Sequence, residues 1–259
     1  MNEYILITGA TTGIGYEMAL QLAQKKFNLI LVARTLEKLE MMQENLSTRY
    51  EIEVQYISVD LSDPNNAVDV FNQVQSNNWR VSHLVNNAGF GDYGSFLETS
   101  LEKELAMIHL NVSSLVILTK LFAQEMAVFK SGRIMNVASL LAFIPLPYYS
   151  VYSATKSFVL AFSETIASEM EGTGVVITAL CPGTVETPFH TSEMRKTNAM
   201  NANKPMSASV VAKSGVELLL LGQGKKVVGL NNWFISKLPM VTPDGIMTKI
   251  KKNLASIKS

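Results

Sequence analysis

An apolar run over residues 3 to 8, Glu-Tyr-Ile-Leu-Ile-Thr, passes directly into Gly9-Ala10-Thr11-Thr12-Gly13-Ile14-Gly15 and then into an amphipathic helical pattern. Met18 and Leu22 mark the inward face of that helix, with Ala19 and Ala23 beside them. A buried strand, a glycine turn and a helix in this order form the opening unit of an open parallel α/β sheet. Glycines at the turn permit a tight bend and close backbone approach to a pyrophosphate, whose charge then sits at the helix N-terminus. Gly9, Thr11, Thr12, Gly13, Ile14 and Gly15 are therefore candidate cofactor residues. Their spacing, Gly-x-x-x-Gly-x-Gly, departs from the general Gly-x-Gly-x-x-Gly fingerprint, and a turn that serves packing alone is the alternative.

Strand and helix patterns alternate from there onward, without repeats, low-complexity tracts or linkers. The expected fold is α/β, a doubly wound parallel sheet of Rossmann-like type with about seven strands, helices on both faces and one domain over residues 1–259. Further strands are expected at 28–33, 54–59, 81–85, 133–138, 175–180 and 225–229, and a long helix at 102–129. Leu105, Ile108, Val112, Leu115, Phe122 and Met126 form the expected buried stripe of that helix, and Asn111 lies within it. An NAD site places an acid about 20 residues beyond the glycines, at the end of the second strand. Here Ala33-Arg34 stands at that place. Arg34 would attract a 2′-phosphate, so NADP(H) is favoured over NAD(H); a solvated arginine opening the next helix is the alternative. Asp60 and Leu61 close the third strand and suit the adenine, while Asn86, Asn87, Ala88 and Gly89 close the fourth and suit the ribose.

Tyr152 and Lys156 are four residues apart, and Ser139 lies thirteen residues upstream of the tyrosine. On a helix the pair shares one face. An ammonium near a phenol favours the phenolate and eases transfer of its proton. A serine hydroxyl could hold a carbonyl or carbinol oxygen against that phenol.

Thr8-Gly9-x-x-x-Gly13-x-Gly15, Asp60, Asn86-Asn87-Ala88-Gly89, Asn111, Ser139, Tyr152-x-x-x-Lys156 and Pro182-Gly183-x-Val185-x-Thr187 fall in one order along nearly the whole chain. In this the sequence resembles the short-chain dehydrogenase/reductase family, NADP(H)-preferring type. The resemblance implies Tyr152 as proton donor to a carbonyl, Ser139 as substrate-orienting hydroxyl and Lys156 on the nicotinamide ribose, lowering the Tyr152 pKa. It implies that Asn111 supports a water leading to Lys156. Pro182, Gly183, Val185 and Thr187 would pack on the nicotinamide, and a homodimer or homotetramer would form through the long helices.

Phe90, Tyr93, Leu140, Leu141, Tyr149 and Phe189 are candidate substrate residues, with Phe143, Ile144 and Met194 near them. Their apolar character favours a ketone or secondary alcohol with an apolar body, such as an acyl chain or a steroid-like skeleton. Residues 190–206 are expected to form a lid and 231–259 a C-terminal helical extension. A non-catalytic NADP(H) sensor on the same fold is the competing function, but a sensor has no need of the Tyr152–Lys156 pair. A nucleotide-sugar epimerase fits poorly with the glycine spacing and the little sequence beyond the catalytic helix, and Ser139 lacks the elbow of a serine hydrolase.

The chain is 259 residues long, 47% hydrophobic and 17% charged, with zero formal net charge. Nothing in that balance draws it broadly to nucleic acid or to an anionic membrane. A single cysteine, Cys181, excludes an internal disulfide and suits a small buried residue. His83, His109 and His190 are scattered, so no metal site is expected, and only His190 falls near the substrate region. No apolar run reads as a membrane span and no leader precedes the first strand, so a cytoplasmic enzyme is expected. The basic stretch at Lys249–Leu254 is expected to be a solvated final helix rather than a membrane anchor.

Overall fold

A computed structural model describes residues 2–202 and 204–257; side chains are described except at 201 and 202. Seven parallel strands form one sheet in the order β3-β2-β1-β4-β5-β6-β9. They are β1 (Glu3–Thr8), β2 (Asn28–Ala33), β3 (Val54–Ser58), β4 (Arg80–Asn86), β5 (Gly132–Val137), β6 (Val175–Cys181) and β9 (Gly224–Val227). A second, two-stranded pairing joins β7 (Val185–Glu186) to β8 (Met206–Ser207).

The strands read as unbroken apolar runs because both faces of the sheet are covered. Ile5 and Ile7 of β1, with Leu29 and Leu31 of β2, pack in one cluster against α1 (Gly13–Gln24) and α9 (Ala208–Leu221). Tyr4 and Leu6, with Ile30 and Val32, point the other way into a cluster with α3 (Asn65–Ser76) and α5 (Leu115–Val128). The period of two thus sorts successive residues into two cores. Strand order reverses between β1 and β4, and the crevice beyond their carboxyl ends is where such sheets take ligands.

The long helix differs from expectation in its middle. α4 (Leu101–Ile108) runs into a π-helical turn over His109–Ser114 before α5 begins. A turn closed i→i+5 holds one more residue than an α turn, so the buried stripe slips by one position. Met107, Asn111, Ser114 and Leu115 are buried, whereas Leu105 and Ile108, expected on the buried stripe, face outward. The expectation that no apolar run reaches membrane-spanning length is also corrected: the 28-residue helical stretch Leu101–Val128 contains an 18-residue window of mean hydropathy 1.7 and is long and apolar enough. In this fold its buried side packs on the sheet through Leu118, Phe122 and Met126.

Candidate active site

The glycine turn takes the shape its residues allow. Gly9 and Gly13 have φ of +64° and +58°, a region that costs a side-chain-bearing residue strain. At Gly15 space is limiting instead: a Cβ there would collide with the Gly9 carbonyl oxygen and with Asn87 Nδ2. Asn87 Nδ2 donates to the carbonyl oxygens of Thr8 and Gly9 at 2.9 and 3.2 Å, and the Asn87 and Ala88 amides donate to Thr8 Oγ1. Asn87, expected at the ribose, therefore braces the glycine turn while also lining the crevice. Asn86 is corrected outright. It is buried beneath the sheet end, where its Nδ2 donates to Thr119 Oγ1 and Asn136 Oδ1, both 2.9 Å away.

One cavity of about 580 Å³ runs from this turn to the catalytic candidates. Gly9, Thr11, Thr12, Gly13 and Ile14 line one end, with Arg34, Asp60 and Leu61 beside them. Asn87, Ala88 and Gly89 line its middle, followed by Ser139, Tyr152, Lys156, Pro182, Gly183, Val185 and Thr187. Arg34 is largely exposed, and its guanidinium lies 3.7 Å from Asp60 Oδ2, so the strand end carries a carboxylate from the neighbouring strand. Thr35 and Lys38 also line this end. Lys38 was not anticipated, yet its place four residues after Arg34, at the start of α2 (Leu36–Tyr50), was a readable signal.

α6 (Ser150–Glu169) carries Tyr152 and Lys156, both buried. Ser139 stands in extended conformation just after β5, held because the Leu140 amide donates to the Pro182 carbonyl at 2.7 Å. Its Oγ accepts from the Leu141 amide at 3.1 Å. Lys156 Nζ donates to the Val137 carbonyl oxygen at 2.8 Å and lies 6.0 Å from the Tyr152 ring centroid.

The electrostatics run against the simplest expectation. Burial pushes the Tyr152 phenol up to about 12, with the Ser139 hydrogen bond pulling it down and Tyr149 adding to the rise. The Lys156 ammonium is held by the Val137 carbonyl and stands 6.0 Å from the centre of the phenol ring. Lys156 itself is lowered to about 8, since a buried site penalises its charge. Asn111 is buried at the π turn and does not touch Lys156. Its Oδ1 accepts from the Phe90 amide at 3.2 Å, and its Nδ2 donates to the Phe90 carbonyl and to Thr155 Oγ1 at 3.0 and 3.1 Å. Gly89 separates the two, because a Cβ there would stand 2.9 Å from Asn111 Oδ1 and 3.5 Å from Lys156 Nζ.

Phe90, Leu140, Leu141, Tyr149 and Phe189 line the cavity beyond Tyr152, as do Ile144, His190 and Met194. Tyr93 does not, and its assignment to the substrate is corrected. Its ring packs on Tyr148 and Tyr149, while its hydroxyl donates to the Ala255 carbonyl at 2.7 Å. Phe143 also lies outside the lining, with Lys225 over its ring. Cys181 is buried as expected, its thiol pushed up to about 12 by burial. Among the described residues no group of His, Cys, Asp and Glu is suited to a metal ion.

The segment expected as a lid holds α7 (Ser192–Arg195) and α8 (Asn198–Ala202), with residue 203 outside the described residues. Asn198 ties it to the C-terminal α11 (Asp244–Ala255). Its Nδ2 donates to the Asn253 carbonyl at 3.0 Å and to Ser256 Oγ at 2.9 Å. The C-terminal extension, whose residues 258 and 259 lie outside the described residues, thereby completes the cavity wall with Ile235 and Leu254. Neither wall residue is legible in sequence, since the apposition depends on tertiary packing alone.

Fold and site together define an open α/β protein whose switch-point crevice joins a glycine turn to a Ser–Tyr–Lys group. The chain belongs to the short-chain dehydrogenase family, whose model matches residues 3–198. It is similar to 17β-hydroxysteroid dehydrogenase type 3 of Rattus norvegicus, with 34% identity over 206 residues, 76% of this chain and 66% of that protein. It is also similar to very-long-chain 3-oxoacyl-CoA reductase-A of Danio rerio, with 30% identity over 218 residues, 82% of this chain and 66% of that protein. The chain thus spans just under two thirds of the length of these two curated relatives. Among solved structures, a 7β-hydroxysteroid dehydrogenase superposes with a TM-score of 0.84 over 96% of each chain, at 25% identity. A short-chain dehydrogenase from Sphingobium yanoikuyae in complex with NADPH shares the fold, with a TM-score of 0.79, 24% identity and coverage of 93% of this chain and 97% of that one.

Proposed function

We propose that the protein is an NADP(H)-dependent oxidoreductase interconverting a ketone and a secondary alcohol on a substrate with an apolar body, of the 3-oxoacyl or steroid-like kind. The observation that carries this reading is the single cavity holding the glycine turn, Arg34, Ser139, Tyr152 and Lys156 together. The residues fit a dinucleotide: Gly9, Gly13 and Gly15 put no side chain into the turn, and positive φ at Gly9 and Gly13 gives it the tight bend that lets a pyrophosphate approach the backbone. Arg34 and Lys38 offer two cations at the adenosine end, which favours a 2′-phosphate over a bare ribose.

When bound, a nicotinamide cofactor supplies the hydride that goes to or from the substrate carbon. Tyr152 gives its phenolic proton to the carbonyl oxygen as charge develops there, and Ser139 donates a hydrogen bond to the same oxygen. With its pKa near 12, the phenol is fully protonated at neutral pH and thus ready to act as an acid. Lys156, near 8, is still mostly charged at pH 7 and can favour the phenolate left behind. Phe90, Leu140, Leu141, Tyr149 and Phe189 supply the apolar wall for the substrate body. The outward apolar residues Leu101, Leu105 and Ile108 of α4 and Phe158 of α6 suit a homodimer.

A panel of 3-oxoacyl thioesters, hydroxysteroids and small diketones, followed by NADPH absorbance, tests the reading. Turnover of an apolar ketone above that of the small diketones is expected; no NADPH-dependent turnover across the panel contradicts it.

A further inference from the structure

α10 (Leu230–Val241) is built inside out. Its inward face carries Asn232 and Ser236, exposed by only 2% and 4%, while its outward face carries Leu230, Trp233, Phe234, Leu238 and Val241. Those five follow the i, i+3, i+4 rhythm of one helix face, which in a water-facing helix would be polar. Leu230 is 71% exposed, Phe234 56% and Val241 79%. Asn232 fills the tight space beside Gly183, where a Cβ would collide with its amide, and Nδ2 donates to the Val228 carbonyl at 2.6 Å. Asn232 thus packs on the body at Gly183, with Ile235 on the inward side in the cavity wall, while the larger apolar side faces outward.

The charge along this C-terminal segment is almost all of one sign. Between residues 230 and 257, Lys237, Lys249, Lys251 and Lys252 are opposed only by Asp244, in a chain with no net charge. Lys237 rises within the apolar face, its Nζ 5.9 Å from the Trp233 ring centroid, so its stem can lie in an apolar layer with the ammonium at the boundary. Ile246 adds an exposed apolar side chain at the start of α11. An aromatic and aliphatic face with lysines and almost no acid is the composition of a helix that lies in the interface of an anionic bilayer. A second copy of the chain would set these lysines against one another.

We infer that α10 and the start of α11 form a membrane-surface docking face for an anionic lipid bilayer, which the protein lies on without spanning. The same two helices contribute Ile235 and Leu254 to the cavity wall, one turn or less from the outward face on α10. An apolar substrate held in the bilayer would meet the protein where its cavity is walled; this last step rests on the function proposed above, whereas the docking does not.

Flotation of the full chain with phosphatidylcholine vesicles, with and without a third of phosphatidylglycerol, tests the docking independently of turnover. Binding to the anionic vesicles is expected to exceed binding to the neutral ones at least about tenfold and to weaken with salt. The Trp233→Ser, Phe234→Ser, Val241→Ser variant should lose that binding while its circular dichroism and melting stay those of the parent. If that variant does not fold, Lys237→Glu with Lys249→Glu and Lys252→Glu should abolish the anionic preference on its own. Absence of binding to either vesicle, or equal binding of parent and a folded variant, overturns the inference. So does a light-scattering oligomer that the apolar variant dissociates, since a second copy would then be the occupant.

Discussion

Tyr152 and Lys156 share one face of α6, and the same burial moves their proton affinities in opposite directions. Burial raises the phenol to about 12 and lowers the ammonium to about 8. In the reducing direction Tyr152 must become phenolate, and the positive charge of Lys156 helps it do so. That charge is present below about pH 8 and lost above it, so kcat/KM for ketone reduction should fall as pH rises through about 8. A pH–rate profile that stays flat from neutrality to pH 10 contradicts this assignment. A stability consequence has the same origin. Lys156 binds protons less well folded than unfolded, so its buried charge costs stability below about pH 8, by about 3 kcal/mol. Lys156→Met removes that cost but orphans the Val137 carbonyl, a loss of about 1–3 kcal/mol. The variant should thus be inactive and more stable than the parent at pH 7 by about 1 kcal/mol in urea unfolding, with the gain shrinking as pH rises above about 8. Arg34 belongs to this scale too. Its ion pair with Asp60 is exposed and contributes little to stability, so Arg34→Asp should leave the melting temperature unchanged. Its effect should appear in isothermal titration as NADPH affinity weakened at least about tenfold, with NADH affinity much less changed.

The strand–turn–helix unit of β1 and α1 was legible because its chemistry is local: an apolar run, glycines at fixed places and a helical period. Gly15→Ala tests why the last glycine is there. A methyl group would strike the Gly9 carbonyl and the Asn87 amide that brace the turn, so the loop would have to open. Cofactor affinity is expected to drop by about tenfold or more, a cost of at least about 1.4 kcal/mol, measured by fluorescence titration with NADPH. Affinity equal to the parent's would show that the turn is not the anchoring element. Other elements were less legible. The π turn at His109–Ser114 leaves no mark in hydropathy, and it moved the buried stripe from Leu105 and Ile108 onto Met107 and Asn111. α10 has a helical period, but the period identifies a face and not the side on which it lies.

At the scale of the whole molecule, the parallel sheet covered on both faces was implied by the alternating patterns, whereas its strand order is set by tertiary pairing. The cavity was legible where motifs abut strand ends, at Gly9, Asp60, Ala88, Ser139 and Pro182. It was illegible where distant segments meet, as when Tyr93 clamps Ala255 and Asn198 clamps Asn253. Asn86 shows the same limit: it adjoins Asn87 in a polar tetrapeptide, but alternation along β4 turns it away from the crevice and into the core.

The central claim is that Tyr152 is the proton donor in a cavity shared with the cofactor. The most direct measurement is NADPH binding and turnover for Tyr152→Phe, side by side with the parent. Removing one hydroxyl from a buried ring should leave the NADPH dissociation constant within about threefold while lowering kcat by about 100-fold or more. A variant that binds NADPH as expected but turns over at more than a few per cent of the parental rate contradicts the account.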